Sequence, residues 1–257
     1  MKNKRYRLLT VITIVGILAV WFAVTNYGKT NPIFLPSPQK VGETFLAICK
    51  DGYKGFGLFE HIGSSLFRLL SAFILAIATA VPLGLCSGYV SWIRAIIEPV
   101  INFYRPLPPL AYYTLLVLWL GIGNESKILL LYLACFAPIY IACSSAVMKI
   151  EANYINNARM LGAKKHQVFF TVVFPFVLPD LFVGMRTSLG VGYTTLVAAE
   201  MVAAKSGIGW MVLDASNYLR SDIIFVGILI MGITGIAMDG IVRLVEHICV
   251  PWKGKEK

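Results

Sequence analysis

Charged side chains are scarce in this chain. Asp, Glu, Lys and Arg make up 14% of its 257 residues, where a soluble globular protein carries about 25%. Too few polar residues are present to coat a soluble core of that size. Histidine is rarer still: His61, His166 and His247 stand far apart, and no His/Cys/Asp cluster marks a metal site. The cysteines Cys49, Cys86, Cys135, Cys143 and Cys249 contain no CxxC pair, and their odd number argues against a disulfide framework. They read as small hydrophobic filler. No nucleophile–base constellation is present, so bond-making catalysis by this chain is not expected. Gly28-Lys29-Thr30 is only a fragment of a phosphate-binding loop, because Ala23 stands where the first glycine belongs.

What is abundant is apolar sequence, 58% of the residues. A helix needs about 20 apolar residues to span a bilayer. Six runs meet or approach that length: Leu8–Val24, Leu69–Val90, Pro99–Leu120, Ile128–Met148, Asp180–Ala203 and Ile223–Val242. They are continuous and do not alternate, which excludes barrel strands. The first run follows Lys-Asn-Lys-Arg-Tyr-Arg and resembles a signal peptide. It is long for one, and Asn26-Tyr27-Gly28 offers no small-residue cleavage site, so an uncleaved span is expected. The net charge of +10 lies mainly between and outside the runs, which fits membrane orientation better than nucleic-acid binding. With the N-terminus inside, Lys2, Lys4, Arg5, Arg7, Arg94, Lys149, Arg159, Lys164, Lys165, Arg243, Lys253, Lys255 and Lys257 fall inside. Fewer fall outside: Lys29, Lys40, Lys50, Lys54, Lys127, Lys205 and Arg220. The bias places both termini in the cytoplasm.

Small residues recur every fourth position in the second run (Ala72, Ala76, Ala80, Gly84, Gly88) and again at Gly184, Ser188 and Gly192. Such faces admit a close helix neighbour, either as fixed packing or as surfaces that slide during transport. The third run opens on Asn102-Phe-Tyr-Arg-Pro-Leu-Pro-Pro-Leu110. Its prolines predict a kink beside a pathway or a subunit surface. No internal repeat of the kind found in secondary transporters is visible.

Ionisable residues inside spans are functional candidates, although those near the ends snorkel. Arg68 reads as a snorkeller at the outer start of its span. Arg186 lies about 9 Å along a helix from Asp180, either within the pathway or reaching the inner interface. Asp239 reads as a structural partner. Glu200 is a docking contact or a plain interfacial charge. Arg105, beside Tyr104, offers a forked donor for a compact anion, or pairs with Glu98, or meets a lipid headgroup.

The strongest local signal is Asn156-Asn-Ala-Arg-Met-Leu-Gly-Ala-Lys-Lys-His-Gln167, continuing to Leu178-Pro179. A short helix over Ile155–Leu161, stopped at Gly162, and a second helix from Lys164 would form a knuckle. The bland reading is an ordinary basic loop. This stretch resembles the coupling motif of ABC importer permeases, Glu-Ala-Ala-x-x-x-Gly with a following Leu-Pro, through Ala158, Gly162, Gln167, Leu178 and Pro179. It departs at Asn156 (Glu in the motif), Asn157 (Ala) and Lys164 (a capping Ser or Thr). Tyr104–Ala111, Leu118–Gly123, Ser126–Ile128, Phe136–Pro138, Thr187–Thr195, Leu196–Glu200, Gly207–Gly209 and Leu35–Pro38 are similar to the nitrate/sulfonate/taurine permease group, over about residues 33–252.

That resemblance implies an all-α integral membrane protein of about six transmembrane helices with type I (MetI-like) architecture. A cytoplasmic coupling helix is expected near Asn153–Lys165 and a short outer helix near Ile208–Leu219. The expected organisation is a stub and first span over 1–26, an extracytoplasmic segment over 27–61, a permease core over 62–252 and a cytoplasmic tail over 253–257. Asn156, Asn157, Ala158, Arg159, Leu161, Gly162, Ala163 and Gln167 would dock on the ATPase. Tyr104, Arg105, Arg186 and Glu200 are candidates for the translocation path. Implied partners are a second permease copy, an ATPase dimer, an external binding protein and membrane lipid, with no nucleic acid. No cofactor is expected in this chain, ATP and Mg being held by the ATPase. The implied location is the bacterial inner membrane, and the implied cargo taurine or another alkanesulfonate. Nitrate, bicarbonate or a vitamin precursor is the alternative cargo. A lone ion-coupled carrier and a membrane enzyme are the rival classes.

Overall fold

In the computed structural model, which describes residues 2–28 and 30–253, the chain is helical with no strand among the described residues. Of the expectations above, the tail beyond Lys253 and the orienting residues Lys29, Lys255 and Lys257 lie outside the described residues. The helices are α1 (Lys2–Tyr27), α2 (Pro38–Asp51), α3 (Leu58–Tyr89), α4 (Ser91–Tyr104), α5 (Pro109–Leu120), α6 (Asn124–Met148) and α7 (Ala152–Met160). After them come α8 (Lys165–Val168), a wider π-helical turn (Phe169–Val173), α9 (Phe174–Ala203), α10 (Ile208–Asn217) and α11 (Ser221–Cys249). Five stretches are long and apolar enough to cross a membrane: Leu8–Tyr27, Leu58–Tyr89, Asn124–Met148, Lys165–Val202 and Ser221–Cys249.

The third expected span is corrected. Pro99–Leu120 is not one helix but the end of α4, a break at Arg105–Pro108, and the 12-residue α5. Isolated prolines at Pro82, Pro138 and Pro179 sit inside helices without ending them. Arg105, before Pro106, is still helical at φ −52, ψ −43, but Pro109 disfavours the helical region for the residue before it, and Pro108 is extended at φ −58, ψ 128. The other spans overrun their apolar cores, because the helices continue through flanking polar residues.

The described residues divide into two compact units, 1–64 with 205–232, and 65–204 with 233–257. In the first, Ser37 caps α2 by accepting the Lys40 N–H at 3.3 Å, with Pro38 at the first helical position. Val41, Thr44 and Ile48 form the buried face of α2; Val41 and Ile48 share a core with Leu58, Ile208, Met211, Ile223 and Val226, and Thr44 donates to Asp222 at 2.9 Å. The apolar side chains of α1 are exposed nearly all round, as lipid contact requires. Trp21 ties α1 to this unit by donating to the Pro36 carbonyl at 3.0 Å and stacking on Phe225.

In the second unit α6 is the central post. Both small-residue faces pack on it. A Cβ added at Gly84 would lie 2.7 Å from the Cys143 Cβ, and one at Gly88 2.5 Å from the Val147 Cβ. On the other side, a Cβ at Gly184 would lie 2.4 Å from the Ala142 Cβ. Ser188 donates to the Cys135 carbonyl at 2.9 Å. The α3 and α9 faces are therefore seated against one intervening helix. The wide turn before α9 directly precedes Pro175, whose missing N–H leaves the Thr171 carbonyl without its α-helical donor.

Candidate functional site

The knuckle between α6 and α9 is built by backbone chemistry. α7 ends with Gly162 at φ +85, a conformation that favours glycine. Ala163 N–H donates to the Ala158 carbonyl at 3.1 Å and Gly162 N–H to that of Arg159 at 2.9 Å, the paired bonds of a Schellman stop. The helix begins earlier than expected, at Ala152, and ends at Met160. Lys164 N–H then donates to Gln167 Oε1 at 2.7 Å. This is half of a capping box; the other half needs an acceptor at position 164, which an ammonium does not provide. Val168 is buried and anchors the return. No residue of α7 is buried. Asn156, Asn157, Arg159, Gly162 and Gln167 are exposed, and Ala158 and Ala163 half-buried. Met160 and Leu161 are 85% and 89% exposed, so the tip of the knuckle presents apolar side chains left largely uncovered among the described residues.

The four pathway candidates fall into separate settings. Tyr104 is half-buried and its hydroxyl makes no hydrogen bond. Arg105, at the α4 break, is exposed and forms no ion pair with Glu98 or any other described residue. Arg186 donates from Nε to Asp239 Oδ1 at 2.7 Å, and Arg243 approaches Asp239 Oδ2 at 2.7 Å. Glu200 is buried and accepts from Arg68 Nη1 at 2.6 Å and from Ser65 Oγ at 2.8 and 2.9 Å.

Two sequence readings are corrected here. Arg68 is not a snorkeller: it is buried, spans from Glu200 to Asn124 Oδ1 (2.8 Å from Nε), and is satisfied internally. Glu200 is not an interfacial charge but the other half of that pair. The missed signal was topological, since both residues lie toward the same ends of their spans and carry opposite charges.

A second unforeseen cluster surrounds His61, which is fully buried. Gly207 N–H donates to its Nδ1 at 3.1 Å, leaving Nε2–H to donate to the Tyr53 carbonyl at 3.2 Å, and the ring stacks on Trp210. Nearby, Tyr53 donates to Asp214 at 2.6 Å; its burial and then that carboxylate hold the phenol well above its ordinary range.

Residues 80–247 match the family of binding-protein-dependent transport system inner membrane components. The taurine transport system permease protein TauC of Escherichia coli (strain K12) is 39% identical over 248 residues, 96% of this chain and 90% of the relative. The nitrate import permease protein NrtB of Synechocystis sp. (strain ATCC 27184 / PCC 6803 / Kazusa) is 28% identical, covering 95% and 90%. A chain of the MetNI methionine ABC transporter, solved in inward-facing conformations, superposes with a TM-score of 0.57 at 18% identity, covering 73% of this chain and 95% of that one; this is a likeness of fold. With the spans, the knuckle and these matches together, the chain belongs to the binding-protein-dependent transport system inner membrane component family, the permeases of ABC importers.

Proposed function

We propose that this permease forms the translocation path for taurine or another alkanesulfonate, handed over by an external binding protein and driven by a separate ATPase dimer that holds the ATP and Mg. The observation that carries the cargo is the 39% identity to a taurine permease along 96% of the chain. The knuckle serves as the coupling element, with Gly162 shaping the turn and Met160 and Leu161 entering a groove on the ATPase. Exposed apolar side chains on a structured tip mark an interaction site, and these two are the most exposed large apolar side chains on the knuckle. Two copies of the chain make the path, and both termini face the bacterial cytoplasm. Tyr104, Arg105, Arg186 and Glu200 border or support the route.

The test is co-purification with the ATPase encoded beside it, followed by ATP hydrolysis with the partner binding protein loaded with taurine or with nitrate. Stimulation by the taurine-loaded form is the expected result. Stimulation by nitrate alone would replace the cargo, and failure to form any complex would remove the importer reading.

A further inference from the structure

The Arg186–Asp239 pair, joined by Arg243 from the neighbouring cavity, sits at one end of a cavity of about 320 Å³ in the second unit. The cavity is lined by Leu69, Leu189, Gly190, Tyr193, Gly235 and Met238, with Arg186 and Asp239 in its wall. We propose that this groove between α9 and α11 is the cargo station of the permease, taking the sulfonate of an alkanesulfonate on the free donors of Arg186 and its short carbon chain along the apolar wall. The inference rests on the alkanesulfonate cargo proposed above and assigns it a place in the chain.

Three observations carry it. First, the triad is unsaturated. Arg186 commits only its Nε–H to Asp239, and the N–H groups of its terminal nitrogens have no partner among the described residues, although a guanidinium offers five donors. One carboxylate between two guanidiniums leaves an excess of one positive charge, and forked donors suit a compact oxyanion. Second, the triad is accessible: Arg186 and Asp239 side chains are 33% and 35% exposed, unlike the sealed Arg68–Glu200 pair at 6% and 1%. The adjoining cavity, walled by both Arg186 and Arg243, also holds the Lys253–Glu246 ion pair.

Third, the groove is open beside the Arg186–Asp239 pair: a Cβ at Gly190 would meet nothing within 4 Å, and one at Gly235 would only reach Tyr193 at 4.0 Å.

The experiment uses the whole complex, permease with ATPase in proteoliposomes, supplied with taurine-loaded binding protein. Arg186→Gln with Asp239→Asn removes the Arg186 donors from the groove and leaves the Arg243 charge, which lines the neighbouring cavity, without its carboxylate; Gly235→Leu fills the groove without touching a charge. Each is expected to leave the complex assembled and to lower taurine uptake at least about tenfold, the first by losing a charge-assisted hydrogen bond to cargo and the second by occupying the cargo's place. Gly235→Ala, which adds one methyl in open space, should keep most uptake. Wild-type uptake in both the paired variant and Gly235→Leu would overturn the station while leaving the cargo reading intact. If the variants lose bound phospholipid phosphate but keep uptake, the groove holds a lipid headgroup and the proposal fails. Absence of taurine uptake by the unmodified complex would overturn the cargo reading and this station with it.

Discussion

Glu200→Ala should be among the most destabilising single changes in this protein. Its carboxylate is 1% exposed and holds Arg68, itself 6% exposed, at 2.6 Å, with Ser65 donating to both oxygens. Removing Glu200 leaves a buried guanidinium without its carboxylate, while Nε still donates to the neutral amide oxygen of Asn124. Breaking a buried pair from one side costs about 3–5 kcal/mol, because the desolvated charge is left uncompensated. At about 2–4 °C per kcal/mol for a chain of this size, the thermal midpoint in detergent should fall by roughly 6–20 °C. Arg68→Met should cost a similar amount by leaving the carboxylate alone. The double variant Arg68→Met with Glu200→Leu should recover much of the loss, since well-packed apolar replacements of buried pairs are often neutral. The assay is intrinsic fluorescence on heating, with the four proteins of the cycle side by side. Shifts below about 2 °C for both single variants, or a double variant that simply sums them, would refute the buried-pair reasoning.

Gly162→Trp should leave the permease folded and inserted, since a Cβ there meets nothing within 4 Å and the unfavourable φ costs only about 1–2 kcal/mol. Co-purifying ATPase should nonetheless fall; normal association with normal uptake would remove the coupling assignment. His61→Phe keeps an aromatic ring against Trp210 but strips the acceptor from the buried Gly207 N–H. A loss of about 1–3 kcal/mol is expected, read as faster hydrogen exchange around Gly207, and unchanged exchange would show that the ring alone matters. Gly240→Ala adds a methyl in open space inside α11 and should raise stability by about 0.5–1 kcal/mol, measurable as a small rise in the thermal midpoint.

Long apolar runs made the spans legible, because hydrocarbon thickness sets a minimum length that few soluble helices reach. Their ends were not legible. The helix containing Leu69 starts at Leu58, and the continuous helical stretch containing Asp180 starts at Lys165, since hydropathy falls where polar residues begin and helical structure does not. Gly162 was readable as a stop because a Schellman turn is a local rule. The prolines after Arg105 announced a disturbance but not its size, as Pro82 and Pro138 are absorbed within helices. Arg68 misled because its partner Glu200 lies 132 residues away, beyond any spacing rule, so an isolated charge near a span end looked like a snorkeller. His61 failed for the same reason: Gly207 was singled out, but nothing local joins it to a histidine 146 residues earlier.

The seam between α6 and α9 is the part of the molecule on which the proposed coupling step depends. The knuckle is continuous with the stretch Lys165–Val202, and α9 carries Arg186 and Glu200, so a push on the knuckle reaches both along one helix. α9 transmits that push only if it stays seated on α6. Gly184→Ala tests the seat directly. The added Cβ would lie 2.4 Å from the Ala142 Cβ, with the Pro138 carbonyl at 3.3 Å and the Ile139 Cα at 3.7 Å. These neighbours are backbone or rigid, so the helices must separate, at an overpacking cost of about 1–3 kcal/mol. Uptake should fall along with the thermal midpoint. The complementary change Ala142→Gly, made in the Gly184→Ala background, moves the methyl across the seam and restores the space. Both stability and ATP-driven uptake should return toward the unmodified values in that double variant. Recovery of stability without uptake would mean that the seam holds the fold together but does not carry the stroke, and no recovery of either would mean that the two residues do not share a contact.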